Sequence, residues 1–350
     1  MNFASDNWSG VAPQINQSLQ THSVSPAAAY GDSILDEKVK VKFCEVFEKE
    51  VAVYFVGTGT VANALSIASL SRPGGISLCH REAHMLEDEC GAPELFSNGG
   101  RLVGVEGNFG KIDSEDLKTK LNRFSPDFVH YGQATAISLT QASEAGTVYS
   151  LEEIETISGI ARSYHLPLHM DGSRFANALV HLETSPAEMT WKRGVDILSF
   201  GGTKNGCWCA EAIVLFDLSM DEQMAYTHKR AGQLYSKSRF VAAQYEAYFE
   251  DDLWLELARN ANTMADQLRE GIENSPGARL GWPTQSNEIF CILPVHAAQL
   301  LIDNGVSFHP WKTPEAMHTK PGKGECLYRF VTSFATSVDE VERVLEMIQT

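Results

Sequence analysis

The chain has 350 residues, 43% of them hydrophobic and 21% charged, enough to bury a sizeable core and to divide into two domains. Its 45 Asp and Glu against 28 Lys and Arg give a formal charge of −17, which repels a phosphate backbone and an anionic membrane surface alike and argues against nucleic-acid and membrane partners. No apolar run approaches the ~20 residues needed to span a bilayer, and the N-terminus lacks the basic and apolar stretches of a signal peptide, so the cytoplasm is the expected location.

The seven cysteines, Cys44, Cys79, Cys90, Cys207, Cys209, Cys291 and Cys326, are an odd number, which excludes a complete disulfide framework within one chain and predicts reduced thiols. Cys207-Trp208-Cys209 has one intervening residue where zinc sites use two to four, and no second pair follows. The pair reads as half-buried strand cysteines, and no metal site is expected.

Residues before about Tyr30 show no strong period and contain Pro13 and Pro26, so they read as an arm lying over another surface, such as a neighbouring subunit. From about Ala52 to Phe216, short apolar runs alternate with helical patterns, the signature of βαβ units around a mostly parallel sheet. The runs are Val53-Tyr54-Phe55-Val56, Phe128-Val129-His130-Tyr131, Leu166-Pro167-Leu168-His169-Met170, Ile197-Leu198-Ser199-Phe200 and Ala212-Ile213-Val214-Leu215-Phe216. Ser150 with Glu153 forms a capping-box start for a helix from Leu151 to Ala161.

After Val241 the pattern becomes a long helix, with Leu253, Leu257, Ala261, Met264, Leu268 and Ile272 at spacings of three and four, ended by Ser275-Pro276-Gly277. A small α+β unit follows: strand Ile289 to Leu293, a short helix through Leu300, strands Val306 to His309 and Leu327 to Thr332, and a last helix opened by Ser337 and Glu340. The fold class is therefore α/β, with a boundary near Phe240. Residues 1–240 form the arm and a large domain with helices flanking its sheet; residues 241–350 form the bridging helix and a small C-terminal α+β domain.

Three strand-end loops carry chemistry. Val56-Gly57-Thr58-Gly59-Thr60-Val61-Ala62-Asn63 joins an apolar strand to a helix beginning near Thr60; its glycines, hydroxyls and helix N-terminus suit a phosphate, although a tight strand-to-helix turn alone gives the same pattern. It is neither a Walker loop nor the dinucleotide G-x-G-x-x-G. In His169-Met170-Asp171-Gly172-Ser173-Arg174, a carboxylate sits where α/β sheets bind ligands, with Arg174 near enough to share the pocket; a surface pair in a turn is the plainer reading. His165 and His169 are four apart, but Pro167 and the strand pattern argue against a helical metal pair. In Ser199-Phe200-Gly201-Gly202-Thr203-Lys204-Asn205-Gly206, one lysine amid glycines suits a Schiff-base lysine, against the alternative of a structural loop.

A phosphate turn, a strand-end Asp and, about thirty residues on, a strand-end Lys have one economical explanation in α/β chemistry. The combination resembles the aspartate-aminotransferase-like fold that binds pyridoxal phosphate. Within it, Y-G-D near the start, G-T-G-T-x-A-N, A-H, T-Q-A-S-E-x-G-T-V-Y, H-M-D-G-S-R, S-F-G-G-T-K-N-G and Y-R-F-V-T-S resemble the low-specificity L-threonine aldolases over essentially the whole chain.

That resemblance implies that Lys204 holds pyridoxal 5'-phosphate as a Schiff base, that Gly59, Thr60 and Thr203 bind the phosphate, and that Asp171 keeps the pyridine nitrogen protonated. His84 matches the histidine stacked on the ring. Arg174, Arg329 and Ser5 match the residues that hold the substrate carboxylate, and so orient the Cα bond to be broken. Some relatives place a second histidine in the loop that here reads Thr140-Gln141-Ala142-Ser143-Glu144, where this chain has Ser143 or a neighbour; the expected base for the β-hydroxyl is therefore His84, directly or through a water. Tyr30 resembles a residue entering from a neighbouring subunit, and Arg230 and Lys237 are candidates for completing the phosphate site; each reads equally as a solvated surface residue.

The implied activity is lyase cleavage of a β-hydroxy-α-amino acid, L-threonine or L-allo-threonine, to glycine and an aldehyde, in a homotetramer built as a dimer of dimers. The rivals are a β-eliminating lyase, racemase or aminotransferase on the same fold, or a phosphate-binding module without catalysis. In so acidic a protein, Arg174 and Arg329 with Arg230 or Lys237 are expected to make the site a basic island.

Overall fold

The computed structural model describes residues 1–125, 127–315 and 317–349. Its larger sheet contains β1 (Ala52–Val56), β2 (Gly75–His80), β3 (Arg101–Val105), β4 (Gln133–Thr140), β5 (Leu168–Gly172), β6 (Ile197–Gly201) and β7 (Glu211–Leu215), in the order β1-β7-β6-β5-β4-β2-β3. All pairings are parallel except those of β7, which runs antiparallel to both β1 and β6. β2, β5, β6 and β7 are buried along their whole length, as strands covered on both faces must be.

The two-residue period sorts alternate side chains to opposite faces. Val53, Phe55, Leu198, Phe200, Ala212 and Val214 enter one core, while Val56, Ile197, Ile213 and Leu215 pack with Ala62, Leu65 and Met224 on the other. Phe200 anchors the first core, its ring centroid 5.5 Å from those of Phe43 and Phe175 and 5.9 Å from that of Trp254. Truncating it to Ala removes a fully buried ring and is expected to cost about 3–5 kcal/mol.

A smaller antiparallel sheet holds β8 (Arg279–Leu280), β9 (Glu288–Pro294), β10 (His309–Pro310) and β11 (Glu325–Val331), in the order β10-β11-β9-β8. The helix Leu253–Glu273 serves both cores: Leu253, Trp254 and Ala258 lie in the first, and Met264, Ala265, Leu268 and Ile272 pack against the small sheet. Both predicted capping boxes form. Glu153 N donates to Ser150 Oγ at 3.2 Å and Ser150 N to Glu153 Oε2 at 2.7 Å; Ser337 and Glu340 repeat the exchange before Val338–Gln349.

Several expectations need correcting. Phe128 to Tyr131 is an exposed turn, not a strand; the strand is the following Gln133–Thr140, whose small side chains fit a position buried between β2 and β5. The N-terminal segment is not aperiodic. Pro13 opens the helix Pro13–Ser23, where its missing N–H costs nothing, and Ser18 Oγ ties that helix to Ala243 O at 2.7 Å. The residues ahead of it lie over their own chain: Phe3 N donates to Ser307 O and accepts, through its carbonyl, from Val331 N, both at 2.8 Å. The strand expected at Val306 to His309 pairs with β11 only at His309–Pro310.

Candidate active site

Parallel sheets bind ligands at the carboxyl ends of their strands. Here the ends of β1, β5 and β6 open onto a cleft of about 260 Å³ lined by Gly57, Thr58, Gly59, Thr60, Asn63, His84, Glu89, Asp171, Ser173, Thr203, Lys204, Glu211 and Asn7. A wider cavity of about 500 Å³ beside Lys38 and Glu246 gathers no comparable chemistry. The three strand-end loops thus meet in one place.

At the first loop, Thr58 caps the helix Gly59–Leu70, its Oγ1 accepting from Val61 N at 3.2 Å, while Ala62 N closes on the Thr58 carbonyl. The N–H groups of Gly59 and Thr60 find no acceptor among the described residues, so the helix end presents two free donors and its positive dipole to the cleft. A Cβ at Gly57 would meet the Tyr235 hydroxyl, which would have to move aside.

At the second loop, Asp171 is buried with both oxygens engaged: Ser173 N donates to Oδ1 at 3.1 Å and Asn63 Nδ2 to Oδ2 at 2.9 Å. The same Asn63 nitrogen donates to Glu89 Oε1 at 2.9 Å, and that oxygen lies 2.9 Å from His84 Nδ1. The bond to Glu89 holds the His84 imidazole above its ordinary value against the opposing effect of burial, and burial pushes Glu89 up in turn. His169, one turn of the pleat below Asp171, is fully buried between Ser138 Oγ at 2.8 Å and Ser199 Oγ at 2.9 Å, and burial pushes it down to about 3.

At the third loop, Lys204 sits in the 3-10 turn Thr203–Asn205. Asn205 pins the turn from below, donating to Tyr248 OH and Trp254 O, both at 2.8 Å. Gly206 follows at φ 102°, and a Cβ there would stand 2.9 Å from Leu257 Cδ1. Thr203 Oγ1 accepts from Ala210 N at 3.2 Å, and Thr203 N donates to Glu211 Oε1 at 3.3 Å. Burial pushes Glu211 up to about 7. Cys209, in the loop before β7, donates to Gly57 O at 3.0 Å.

The arginines are arranged differently from expectation. Arg174 donates to Asp6 through Nε at 2.8 Å and Nη2 at 3.2 Å, and its Nη1 lies 3.3 Å from Glu288 Oε2. Arg329 Nη1 lies 3.6 Å from Glu288 Oε1, with its guanidinium 4.5 Å from the centre of the Trp311 ring. Burial opposes the Arg174 charge, but Asp6 and Glu288 outweigh it and hold the guanidinium above its ordinary value. Asp6 is pushed up by burial and pulled further down by Arg174, so that it ends below the usual carboxylate range. Burial raises Glu288 despite both arginines. Two cations face two buried carboxylates, so this part of the site is not a basic island.

Ser5 lies beside Asp6 and caps the turn Asp6–Trp8, its Oγ accepting from Asn7 N at 3.1 Å. Ser143 turns away from the cleft: its hydroxyl bonds Thr147 Oγ1 at 2.7 Å and Phe109 O at 3.2 Å. Tyr30, Arg230 and Lys237 are exposed and outside the cleft lining of their own chain. Tyr30 N is bonded to Ser236 O at 3.3 Å, beside Lys237 in the loop that follows the helix ending at Arg230.

Asn63, Glu89, Glu211, Asp6 and Glu288 were not singled out from sequence. Asn63 stands four residues after Gly59 in the quoted turn motif, hence on the same helix face. Glu211 begins a strand, and only the reversal of β7 brings that beginning, opposite Gly201 and Val56, to the carboxyl edge.

The sequence model of the beta-eliminating lyase family matches residues 2–293. The chain is 38% identical over 348 residues to a low specificity L-threonine aldolase of Pseudomonas aeruginosa, covering 99% of this chain and 96% of the relative. It is 27% identical over 306 residues to a probable low-specificity L-threonine aldolase of Schizosaccharomyces pombe, covering 83% and 79%. Among solved structures, a Leishmania major threonine aldolase superposes with a TM-score of 0.91 at 26% identity, covering 99% of this chain and 98% of that one. A Sphingomonas wittichii serine palmitoyltransferase shares the fold, with a TM-score of 0.73 at 16% identity over 100% and 86% of the two chains.

Proposed function

This chain belongs to the beta-eliminating lyase family, among the low-specificity L-threonine aldolases, and from that premise we propose that it binds pyridoxal 5'-phosphate on Lys204 and cleaves L-threonine or L-allo-threonine to glycine and acetaldehyde. The observation that carries the reading is the meeting of Lys204, Asp171 and the free helix end at Gly59 and Thr60 in one cleft. That set fits the cofactor: an amine for its carbonyl carbon, a carboxylate for its ring nitrogen, and two unclaimed N–H donors with the Thr203 hydroxyl for its phosphate. When bound, the group accepts the electron pair released from Cα.

The chain's own residues do the rest. Asp171, kept in place by Ser173 N and Asn63, holds a proton on the nitrogen facing it. Arg174 and Arg329, with Ser5 nearby, orient the substrate carboxylate so that the Cα–Cβ bond is the one that breaks. His84 takes the β-hydroxyl proton, directly or through a water. Tyr30 enters the site of a neighbouring subunit, and Arg230 and Lys237 complete the phosphate site, in a cytoplasmic homotetramer. Residues 1–240 act as the cofactor-binding domain and 241–350 as the bridging helix and small domain. Among the described residues no helix is long and apolar enough to cross a membrane.

Incubation with L-threonine tests the reading. Glycine and acetaldehyde in equal amounts are expected; 2-oxobutyrate instead identifies a β-eliminating enzyme. Borohydride is expected to fix the cofactor onto Lys204, and Lys204→Ala to remain colourless.

A further inference from the structure

The base proposed above has a partner of its own. His84 and Glu89 meet at 2.9 Å between Nδ1 and Oε1, with the Glu89 side chain wholly buried and the His84 side chain 36% exposed toward the cleft. Asn63 Nδ2 donates to that same Glu89 oxygen and to Asp171 Oδ2, both at 2.9 Å. The amide orientation is fixed by this double contact, because the reverse would press a carbonyl oxygen against two carboxylates. With Glu89 ionised, Oε1 accepts from both neighbours, and His84 Nδ1 supplies the second hydrogen.

We infer that Glu89 is a positioning residue that keeps the His84 hydrogen on Nδ1, so that Nε2 presents its lone pair to the cleft as the base in aldol cleavage. This rests on reading the cleft as a retro-aldol site. In the step, the β-hydroxyl proton passes to Nε2, the O–H electron pair becomes the second carbon–oxygen bond of the aldehyde, and the Cα–Cβ pair stays with the glycine half. The imidazolium so formed has the Glu89 carboxylate beside it, which favours the transfer. The proton leaves Nε2 to solvent with the aldehyde, and Cα of the glycine half takes one up from solvent, so that no proton is gained or lost overall.

The arrangement explains two features that the cofactor-binding roles leave over. Glu89 is a buried carboxylate whose Oε2 has no hydrogen-bond partner among the described residues, a costly placement unless its charge has work to do. Asn63 would satisfy Asp171 without Glu89, yet its one nitrogen serves both acids. Besides Glu89, the charges acting on His84 are Glu144 and Asp171, which raise its proton affinity, and Lys204, which lowers it.

The test is a nitrogen-15 spectrum of histidine-labelled holoenzyme with His84→Asn assigning the resonances, beside pH profiles of kcat for the wild type and two variants. Above its pKa, wild-type His84 is expected to carry its hydrogen on Nδ1. Glu89→Gln keeps an oxygen acceptor but removes the charge; the acid limb is expected to move down by about one pH unit and kcat to fall by about tenfold. Glu89→Leu removes the acceptor too, and the Nδ1–H preference is expected to vanish. A wild-type hydrogen on Nε2, or an acid limb unmoved in Glu89→Gln, overturns the inference. If the variants do not fold, the wild-type spectrum decides alone. Because that spectrum needs no turnover, it separates this inference from the proposed reaction, which fails only if threonine is not cleaved.

Discussion

Arg174 and Asp6 are joined by two hydrogen bonds across 168 positions of sequence, Nε to Oδ2 at 2.8 Å and Nη2 to Oδ1 at 3.2 Å. Asn287 Nδ2 adds a third donor to Oδ2 at 3.1 Å. The pair ties the N-terminal segment beneath the cleft and fixes the guanidinium that the proposed function assigns to the substrate carboxylate. Asp6→Ala leaves a buried cation half paired and is expected to cost about 3 kcal/mol of stability, read as a lowered midpoint in urea. The pH dependence has a definite sign. Asp6 lies below its ordinary 3.8 when folded, so its contribution is complete above that value and is lost as pH falls through the lower folded one. The variant should lack this acid-side loss, and an unchanged urea midpoint would show that the bond pair does not hold the segment.

Glu288 sets the charge of the site proposed for the substrate carboxylate. It faces Arg174 and Arg329 at 3.3 and 3.6 Å, yet neither of its oxygens has a hydrogen-bond partner among the described residues. Burial raises its pKa, and a substrate carboxylate arriving beside it raises it further. Glycine binding is therefore expected to take up a proton and to weaken as pH rises through the Glu288 value. Glu288→Gln removes both the competing charge and this dependence, with affinity for glycine rising about tenfold at pH values above the Glu288 one. Spectral titration of the holoenzyme measures it; weaker glycine binding in the variant would mean that Glu288 serves to hold the arginines in place instead.

The difference between Arg174 and its partners shows what a sequence carries. Loops at the ends of parallel strands are legible because the apolar run marks the strand and chain direction marks its ligand-binding end, and Thr60, Asp171 and Lys204 follow from that rule. Asp6 and Glu288 are single acids without periodicity or motif, and their role exists only once distant segments pack together. Glu211 was hidden by strand direction, since the start of an antiparallel strand is an active-site position only in a known topology. The Phe128 to Tyr131 run misled because apolar content alone does not separate a buried strand from an exposed turn. Pro13 misled in the opposite sense, as a helix opener read for a breaker.

Glu211 predicts a second pH effect. Its folded pKa of about 7 stands above its ordinary 4.5 because of burial, so between those values the folded state keeps a proton that the unfolded chain has released. Stability is then fullest below 4.5 and declines as pH rises to about 7. Glu211→Gln keeps an acceptor for Thr203 N while removing the ionisation, and should flatten that decline by about 1–3 kcal/mol. The same variant should bind pyridoxal phosphate more evenly across this range, because no carboxylate then forms beside the end of the cleft proposed for the phosphate. Urea midpoints and cofactor titrations from pH 5 to 8 check both. An equal pH slope in variant and wild type would assign the decline to other groups.

His84 is assigned two roles, and one substitution separates them. A phenylalanine offers a flat ring to stack on the cofactor but no nitrogen. If His84 is the base, His84→Phe should retain cofactor binding within a few fold while kcat for threonine falls by about 100-fold or more. The bond to Glu89 holds the wild-type imidazole above its ordinary 6.5, so wild-type activity should rise as pH increases through that raised value, where Nε2 loses its proton. In His84→Phe this limb should be absent from whatever activity remains. The opposite pattern, near-normal kcat with an intact acid limb and a large loss of cofactor affinity, would leave His84 with stacking alone. The β-hydroxyl proton would then have to pass to another group near the cleft, and Glu144, an unassigned carboxylate whose charge acts on both His84 and Arg174, would be the next residue to substitute.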